Sequence, residues 1–214
     1  MKDLFNIENG FKVLVIVLLS TIAFGTKAAD FSGSVGASSD YVWRGVSQTG
    51  GDMSADLNLE LSQGGFTAGV WTGTVDFSDD NDVETDWYVS YNREVMGVDV
   101  GVGYTKYVYS PIKDIVSFND SSLDFEELYV YAGFDNFNVS HILGLDDAPD
   151  YTEIGTSLLQ VVDVSYGDYE GIGTNVTLSR ELGMGFTASY IMFEAESDSF
   201  EDDNNLVVSY SYSF

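Results

Sequence analysis

Leu206-Val207-Val208-Ser209-Tyr210-Ser211-Tyr212-Ser213-Phe214 alternates apolar or aromatic side chains with small or polar ones and stops on a phenylalanine. Side chains of a strand point alternately to opposite faces, so Leu206, Val208, Tyr210, Tyr212 and Phe214 share a greasy face while the serines line the other. A strand with lipid on one side and water on the other needs that division, and the closing strand of an outer-membrane β-barrel ends this way. The last strand of a soluble sandwich or lipocalin-like barrel also alternates, so the rest of the chain must separate the two.

The pattern recurs along the sequence. From Met53 to Ser62 every odd position is apolar and every even one polar or charged, and Val83, Trp87, Val89 and Tyr91 share a face opposite Glu84, Asp86, Ser90 and Asn92. Further strands fit Phe31 to Val46, Phe66 to Phe77, Val98 to Tyr109, Phe125 to Phe134, Phe137 to Leu145, Ile172 to Glu181, Gly185 to Phe193 and Asn205 to Phe214. Short turns such as Gln63-Gly64-Gly65 and Glu94-Val95-Met96-Gly97 alternate with longer acidic connections, which matches short periplasmic turns and long outer loops. Parity requires Tyr151 to Gly167 to hold two strands or none. The β-prone run Leu158-Leu159-Gln160-Val161-Val162 favours two. The fold expected is therefore all-β: an antiparallel transmembrane β-barrel of twelve strands, ten being the alternative, preceded by a cleaved signal peptide.

That leader is read from Lys12, the apolar run Val13 to Leu19, and the small-x-small string Thr26-Lys27-Ala28. The run is too short to span a bilayer as a helix; an uncleaved amino-terminal anchor is the alternative. Residues 1–28 are thus assigned to the signal peptide and 29–214 to the barrel, which locates the protein in the bacterial outer membrane. The chain has no cysteine, so disulfides and thiolate metal sites are excluded.

With 35 acidic residues against 8 basic ones and a formal net charge of −27, the chain is unsuited to nucleic acid, whose phosphates need basic partners. Removing residues 1–29 takes away three lysines and two acids and leaves Arg44, Arg93, Lys106, Lys113 and Arg180 as the cations. Charged side chains within the strands avoid lipid and should face the lumen. Alternation gives Asp40, Arg44, Asp56, Glu60, Glu84, Asp86, Asp99 and Glu127 as pore-lining candidates. If the first hairpin places Arg44 opposite Asp56, the same register sets Asp40 opposite Glu60, so an Arg44–Asp56 pair on the lumen wall is expected. Lys106 falls on the apolar face near a strand end, where its stem can snorkel. Gly101, Gly103 and Gly133 would leave room inside. Tyr41, Trp43, Trp71, Trp87, Tyr104, Tyr107 and Tyr109 suit, as a group, interfacial girdles. The runs Asp79-Asp80-Asn81-Asp82 and Glu201-Asp202-Asp203 read as solvated loop segments.

The string Ser39-Asp40-Tyr41-Val42-Trp43-Arg44-Gly45-Val46-Ser47-Gln48-Thr49 resembles the opening motif of the TorF-type porins, a proteobacterial family of outer-membrane proteins. Val70 to Phe77, Glu84 to Tyr91 and Val207 to Phe214 resemble later blocks of that family in the same order. The resemblance implies a β-barrel and a pore, and it supplies neither catalytic residues nor a substrate.

The expected function is diffusion of small hydrophilic solutes, cationic or neutral, through an acidic lumen. The alternatives are a structural or surface-binding barrel with a plugged lumen and a lipid-active barrel hydrolase. His141, the one histidine, shares its face with Val139 and Leu143 and reads as a packing residue, so no catalytic residues are assigned. No cofactor is expected; the EF-hand spacing is missing and metal binding stays open. Expected partners are outer-membrane lipid and lipopolysaccharide, small solutes, and the outer-membrane assembly machinery, through the strand ending in Phe214.

Overall fold

The computed structural model describes residues 28–77, 81–111 and 123–214. Of the expected leader, residues 1–27 lie outside the described residues, as do Asp79, Asp80 and Lys113. The wall is built from β1 (Asp30–Ser38), β4 (Ser54–Gln63), β5 (Phe66–Thr74), β6 (Val83–Val95), β7 (Val98–Ser110), β8 (Phe125–Phe134) and β9 (Phe137–Gly144). It continues through β10 (Tyr151–Leu158), β11 (Val162–Tyr169), β12 (Gly173–Gly183), β13 (Phe186–Ala195) and β14 (Asp203–Ser213). These twelve strands form one closed antiparallel barrel in which each pairs with the next along the chain and β14 returns to β1. Two further strands, β2 (Val42–Trp43) and β3 (Val46–Ser47), form a separate small hairpin.

Alternation orients the wall as the sequence requires. On β14, Leu206 is 71% exposed on the outer face while its neighbour Val207 is 8% exposed on the inner one. The β14–β1 seam is short, running from Ser34↔Ser213 to Ser38↔Ser209. The terminal residue extends it: Gly33 N–H donates to the Phe214 carbonyl at 3.0 Å and Phe214 N–H to the Gly33 carbonyl at 2.9 Å. Phe214 therefore contributes both an outer apolar side chain and the last ladder bonds that close the cylinder.

The two ends of the barrel differ. At one, tight turns join the strands; Gly64-Gly65 (φ 61° and 90°) and Met96-Gly97 (φ 55° and 81°) carry the paired positive φ of type I′ turns, whose twist suits adjacent strands. At the other, longer connections include residues 39–53, 75–82 and 111–124.

Two boundaries differ from the sequence reading. The first strand ends at Ser38 and does not continue to Val46, because the chain turns off the wall into the β2–β3 hairpin. The pair of strands expected between Tyr151 and Gly167 is present as β10 and β11, but the run that argued for it is mostly their turn. Leu159 and Gln160 both have φ 54°, and Val161 N–H donates to the Leu158 carbonyl at 3.0 Å. Strand propensity in Leu and Val reflects packing on a half-buried surface, and at this tip Leu159 is 93% exposed. Lys106 lies on the outer face as expected, but its ammonium is held by the cross-strand carboxylate of Glu126 at 3.4 Å.

Candidate functional site

The β2–β3 hairpin lies inside the barrel. Tyr41 packs on Trp71 of β5, with ring centroids 5.3 Å apart. Trp43 meets Tyr107 of β7, Phe125 of β8 and Tyr169 of β11 at 5.7–5.9 Å. Arg44 stacks over Tyr151 of β10, and a Cβ on Gly45 would run into Asn175 of β12 and Phe193 of β13. So short a hairpin reaches seven strands around the wall only from the lumen.

Its local structure follows from the sequence. Arg44 and Gly45 have φ 49° and 90°, the type I′ pattern of the wall's own tight turns, with Val42↔Ser47 and Trp43↔Val46 paired on either side. Gly45 is needed twice, for its backbone and for its close approach to Phe193. Asp40, 6% exposed, clasps the hairpin from within: the Ser47 and Thr49 hydroxyls donate to its Oδ1 at 2.7 and 2.8 Å. Gln48 N–H donates to the Tyr41 carbonyl at 2.6 Å, and Asp76 N–H ties the hairpin to the β5–β6 connection through the Gln48 carbonyl at 2.8 Å.

The hairpin is latched to the wall by charge. Arg44 Nη1 and Nη2 donate to Glu127 Oε1 and Oε2 at 2.7 and 2.8 Å, the bidentate fork a guanidinium favours. The Tyr107 hydroxyl donates to Glu127 Oε2 at 2.9 Å. The guanidinium carbon lies 4.0, 4.5 and 5.2 Å from the ring centroids of Trp43, Tyr151 and Tyr169. Both charged side chains are under a tenth exposed. Burial opposes the arginine's charge, but the hydrogen bonds and negative charge of Glu127 more than offset this, and its pKa lies above the ordinary value. Burial, then the charges of Glu84 and Asp86, push the Tyr41 hydroxyl far above its usual range, so it stays neutral.

The expected Arg44–Asp56 pair is therefore overturned: the partner is Glu127, 83 positions along the chain. Asp56 stands opposite Gly36, and Glu60 opposite Ser32 rather than Asp40. Asp40 and Arg44 belong to the inserted loop and not to the wall. The other six candidates sit on wall strands at inward parity. Glu60 lies 2.7 Å from the Tyr88 hydroxyl. Glu84, 1% exposed, accepts from Tyr109 at 3.1 Å, while its Oε2 and Asp86 Oδ1 are buried with no hydrogen-bond partner. Asp99 borders a cavity of about 430 Å³ at the tight-turn end, together with Glu153, Asp163 and several hydroxyls. A second cavity of about 350 Å³ lies directly under Arg44 and Glu127, and Tyr131 lines both.

Space inside is smaller than the glycines imply. A Cβ on Gly103 or Gly133 would collide with Tyr129 or Tyr131, and one on Gly101 with Asn92, so neighbouring side chains lie over these glycines. Among the aromatics assigned to girdles, Tyr41, Trp43, Trp71, Tyr107 and Tyr109 face the lumen or the hairpin. Tyr151 and Tyr169, part of the Arg44 cage, carry no signal of that role in the sequence. The hairpin does: Arg44-Gly45 is an X-Gly turn between β-prone pairs, like Met96-Gly97.

His141 Nδ1 contacts the Thr152 hydroxyl at 2.8 Å on the outer face, with Asp150 at 3.9 Å. That carboxylate is too distant to orient a base by hydrogen bonding, and the flanking strands are engaged in the β8–β9–β10 ladders. Among the described residues, no group of three or more His, Cys, Asp or Glu side chains is arranged to hold a metal ion.

The barrel aligns with a solved structure reported for the in-meso crystallization of membrane proteins, at TM-score 0.53 and 9% identity, covering 86% of this chain and 83% of that one. This likeness is one of fold. A mutant of the Rh. blastica porin aligns at TM-score 0.40 and 14% identity over 74% of this chain and 55% of the porin. An outer-membrane channel from Pseudomonas putida F1 aligns at TM-score 0.26 and 10% identity over 88% and 96%. No curated protein matches by sequence. A family model described as a bacterial protein of unknown function, Gcw_chp, matches residues 23–141, more than half of the chain and all of the inserted hairpin. The chain belongs to the Gcw_chp family.

Proposed function

We propose that this protein is an outer-membrane channel for small hydrophilic solutes, cationic or neutral, that diffuse through an acid-lined lumen narrowed by the hairpin of residues 39–52. The observation that carries this reading is the chamber at the tight-turn end. Carboxylates of Asp99, Glu153 and Asp163 border it, none of its lining residues is Lys or Arg, and Tyr131 stands between it and the cavity under Arg44. Such a chamber concentrates cations and disfavours anions. Asp56 and Glu60 extend the acidic lining upward in this reading, whereas Glu84 and Glu127 lie under the hairpin.

The exposed apolar outer face suits lipid, and the contrast between tight turns and long loops suits a periplasmic and an external end. In this orientation lipopolysaccharide would surround the loops and the assembly machinery would engage the strand that ends in Phe214. No catalytic step belongs to this reading. A second one, a structural barrel with a filled lumen, is favoured by the hairpin's contacts with seven strands.

Single-channel current from the refolded protein under a salt gradient tests the proposal. Discrete steps with a reversal potential on the cation side are expected. Silence from a demonstrably folded barrel would leave the filled barrel in its place.

A further inference from the structure

The wall site that receives Arg44 has a chemistry of its own. We infer that it is a guanidinium-binding site, and that the hairpin's arginine occupies it as a tethered stand-in for guanidinium-bearing solutes entering the lumen. The solute class rests on the channel reading, whereas the binding itself does not.

Nearly every recognition element belongs to the wall and stays in place if the hairpin moves. Glu127 supplies the planar two-oxygen fork, at 2.7 and 2.8 Å. The Tyr107 hydroxyl, 2.9 Å from Oε2, orients that carboxylate. Tyr151 and Tyr169 offer ring faces 4.5 and 5.2 Å from the cation. Only Trp43, at 4.0 Å, comes from the hairpin. A fork plus aromatic faces selects a flat, weakly hydrated guanidinium over a compact ammonium.

A cavity of about 350 Å³ lies beneath Arg44 and Glu127, so a small solute has room beside the carboxylate. Tyr151, one of the two wall rings, also donates at 3.0 Å to Glu153, which borders the chamber at the tight-turn end and adds a second carboxylate to the same region of the lumen. The tethered occupant is also held with its own backbone at φ 49°, a conformation disfavoured for a residue with a Cβ. A free guanidinium makes the wall contacts without that strain.

Tethering holds Arg44 at an effective concentration of about millimolar. Free ligand therefore competes weakly in the native protein and strongly once the arginine is removed. The probes are agmatine, which carries a guanidinium and an ammonium, and putrescine, which carries two ammoniums, titrated by calorimetry into detergent-folded protein. Arg44→Ala is expected to bind agmatine at least about tenfold more tightly than the native protein and at least about tenfold more tightly than putrescine. Adding Glu127→Gln should remove that preference. Equal binding of the two probes by a folded Arg44→Ala barrel, or a preference that survives Glu127→Gln, overturns the inference.

If Arg44→Ala does not fold, Trp43 in the native protein reports displacement by its fluorescence, with Trp43→Phe as the blank. A change with agmatine but not putrescine supports the site; no difference up to about 100 mM overturns it, since that far exceeds a millimolar tether. Bilayer current recorded on the same preparations separates the two proposals. Selective agmatine binding without conduction would uphold the site and remove the channel reading, whereas conduction without guanidinium selectivity would do the reverse.

Discussion

The two halves of the lumen are lined by the same kind of side chain and behave differently. Near the long loops, Glu127 and Glu84 are 3% and 1% exposed and covered by the inserted hairpin. Near the tight turns, Asp99 and Asp163 border an open chamber. Strand parity in the sequence puts Glu84, Asp99 and Glu127 on the inner face alike, but parity does not tell a solvated acid from a covered one. What separates them is whether a loop folds over the wall and whether it brings a cation: Arg44 reaches Glu127 and does not reach Glu84.

Removing the cover should make the halves alike. Replacing residues 41–48 with a short Gly-Ser linker is expected to give the largest effect, a several-fold rise in single-channel conductance, because twelve strands enclose an interior only modestly wider than a filled eight-stranded one. The wall should survive, since the hairpin contributes no rung to the twelve-strand ladder. Heat-modifiable electrophoretic mobility would confirm the intact barrel. An unchanged conductance in a folded barrel would mean that another constriction sets the current.

Within the covered half, two substitutions of the same type should have opposite consequences. Glu127→Gln leaves the Arg44 charge buried without its ion-pair partner, a loss on the order of 3–5 kcal/mol. The hairpin can escape it by leaving the lumen. Trypsin should then cut after Arg44, a bond protected in the native protein, with the cleavage read by mass spectrometry. Glu84→Gln replaces a buried carboxyl that makes no ion pair among the described residues and should leave the hairpin equally or better protected. Equal protection in both variants would show that the Arg44–Glu127 pair does not hold the hairpin.

The legibility of the chain follows the same division. Wall strands were readable because a two-residue period against lipid or water leaves a mark at every position, as in Leu206 to Phe214. The hairpin mimics a continuation of the first strand because Tyr41, Trp43 and Arg44 also fit that period. The turn signal lay in Arg44-Gly45, masked by an arginine at a position where asparagine or glycine is the usual cue. The Arg44–Glu127 pairing was not legible at all: it depends on how far a loop reaches across a closed cylinder. Assigning Leu158 to Val162 to strand failed because propensity does not register that a type I′ tip can expose a leucine. Parity alone leaves ten or twelve strands, and twelve is correct because the segments flanking that tip, Tyr151–Leu158 and Val162–Tyr169, are the strands.

The smallest effect is expected in the open half. Asp99→Asn with Asp163→Asn removes two charges from the chamber wall, where water and mobile ions already screen them. At about 0.1 M salt the screening length is roughly 10 Å, so each carboxylate influences only its own side of the chamber. The cation preference should fall slightly there and more clearly at about 0.01 M salt, where that length is roughly 30 Å. Reversal potentials of the native and doubly substituted proteins at the two salt levels measure this. A loss of preference that is large and independent of salt would mean that these two acids act at close range on a narrow path. The chamber would then be the selective section, and the hairpin-covered half only a gate above it.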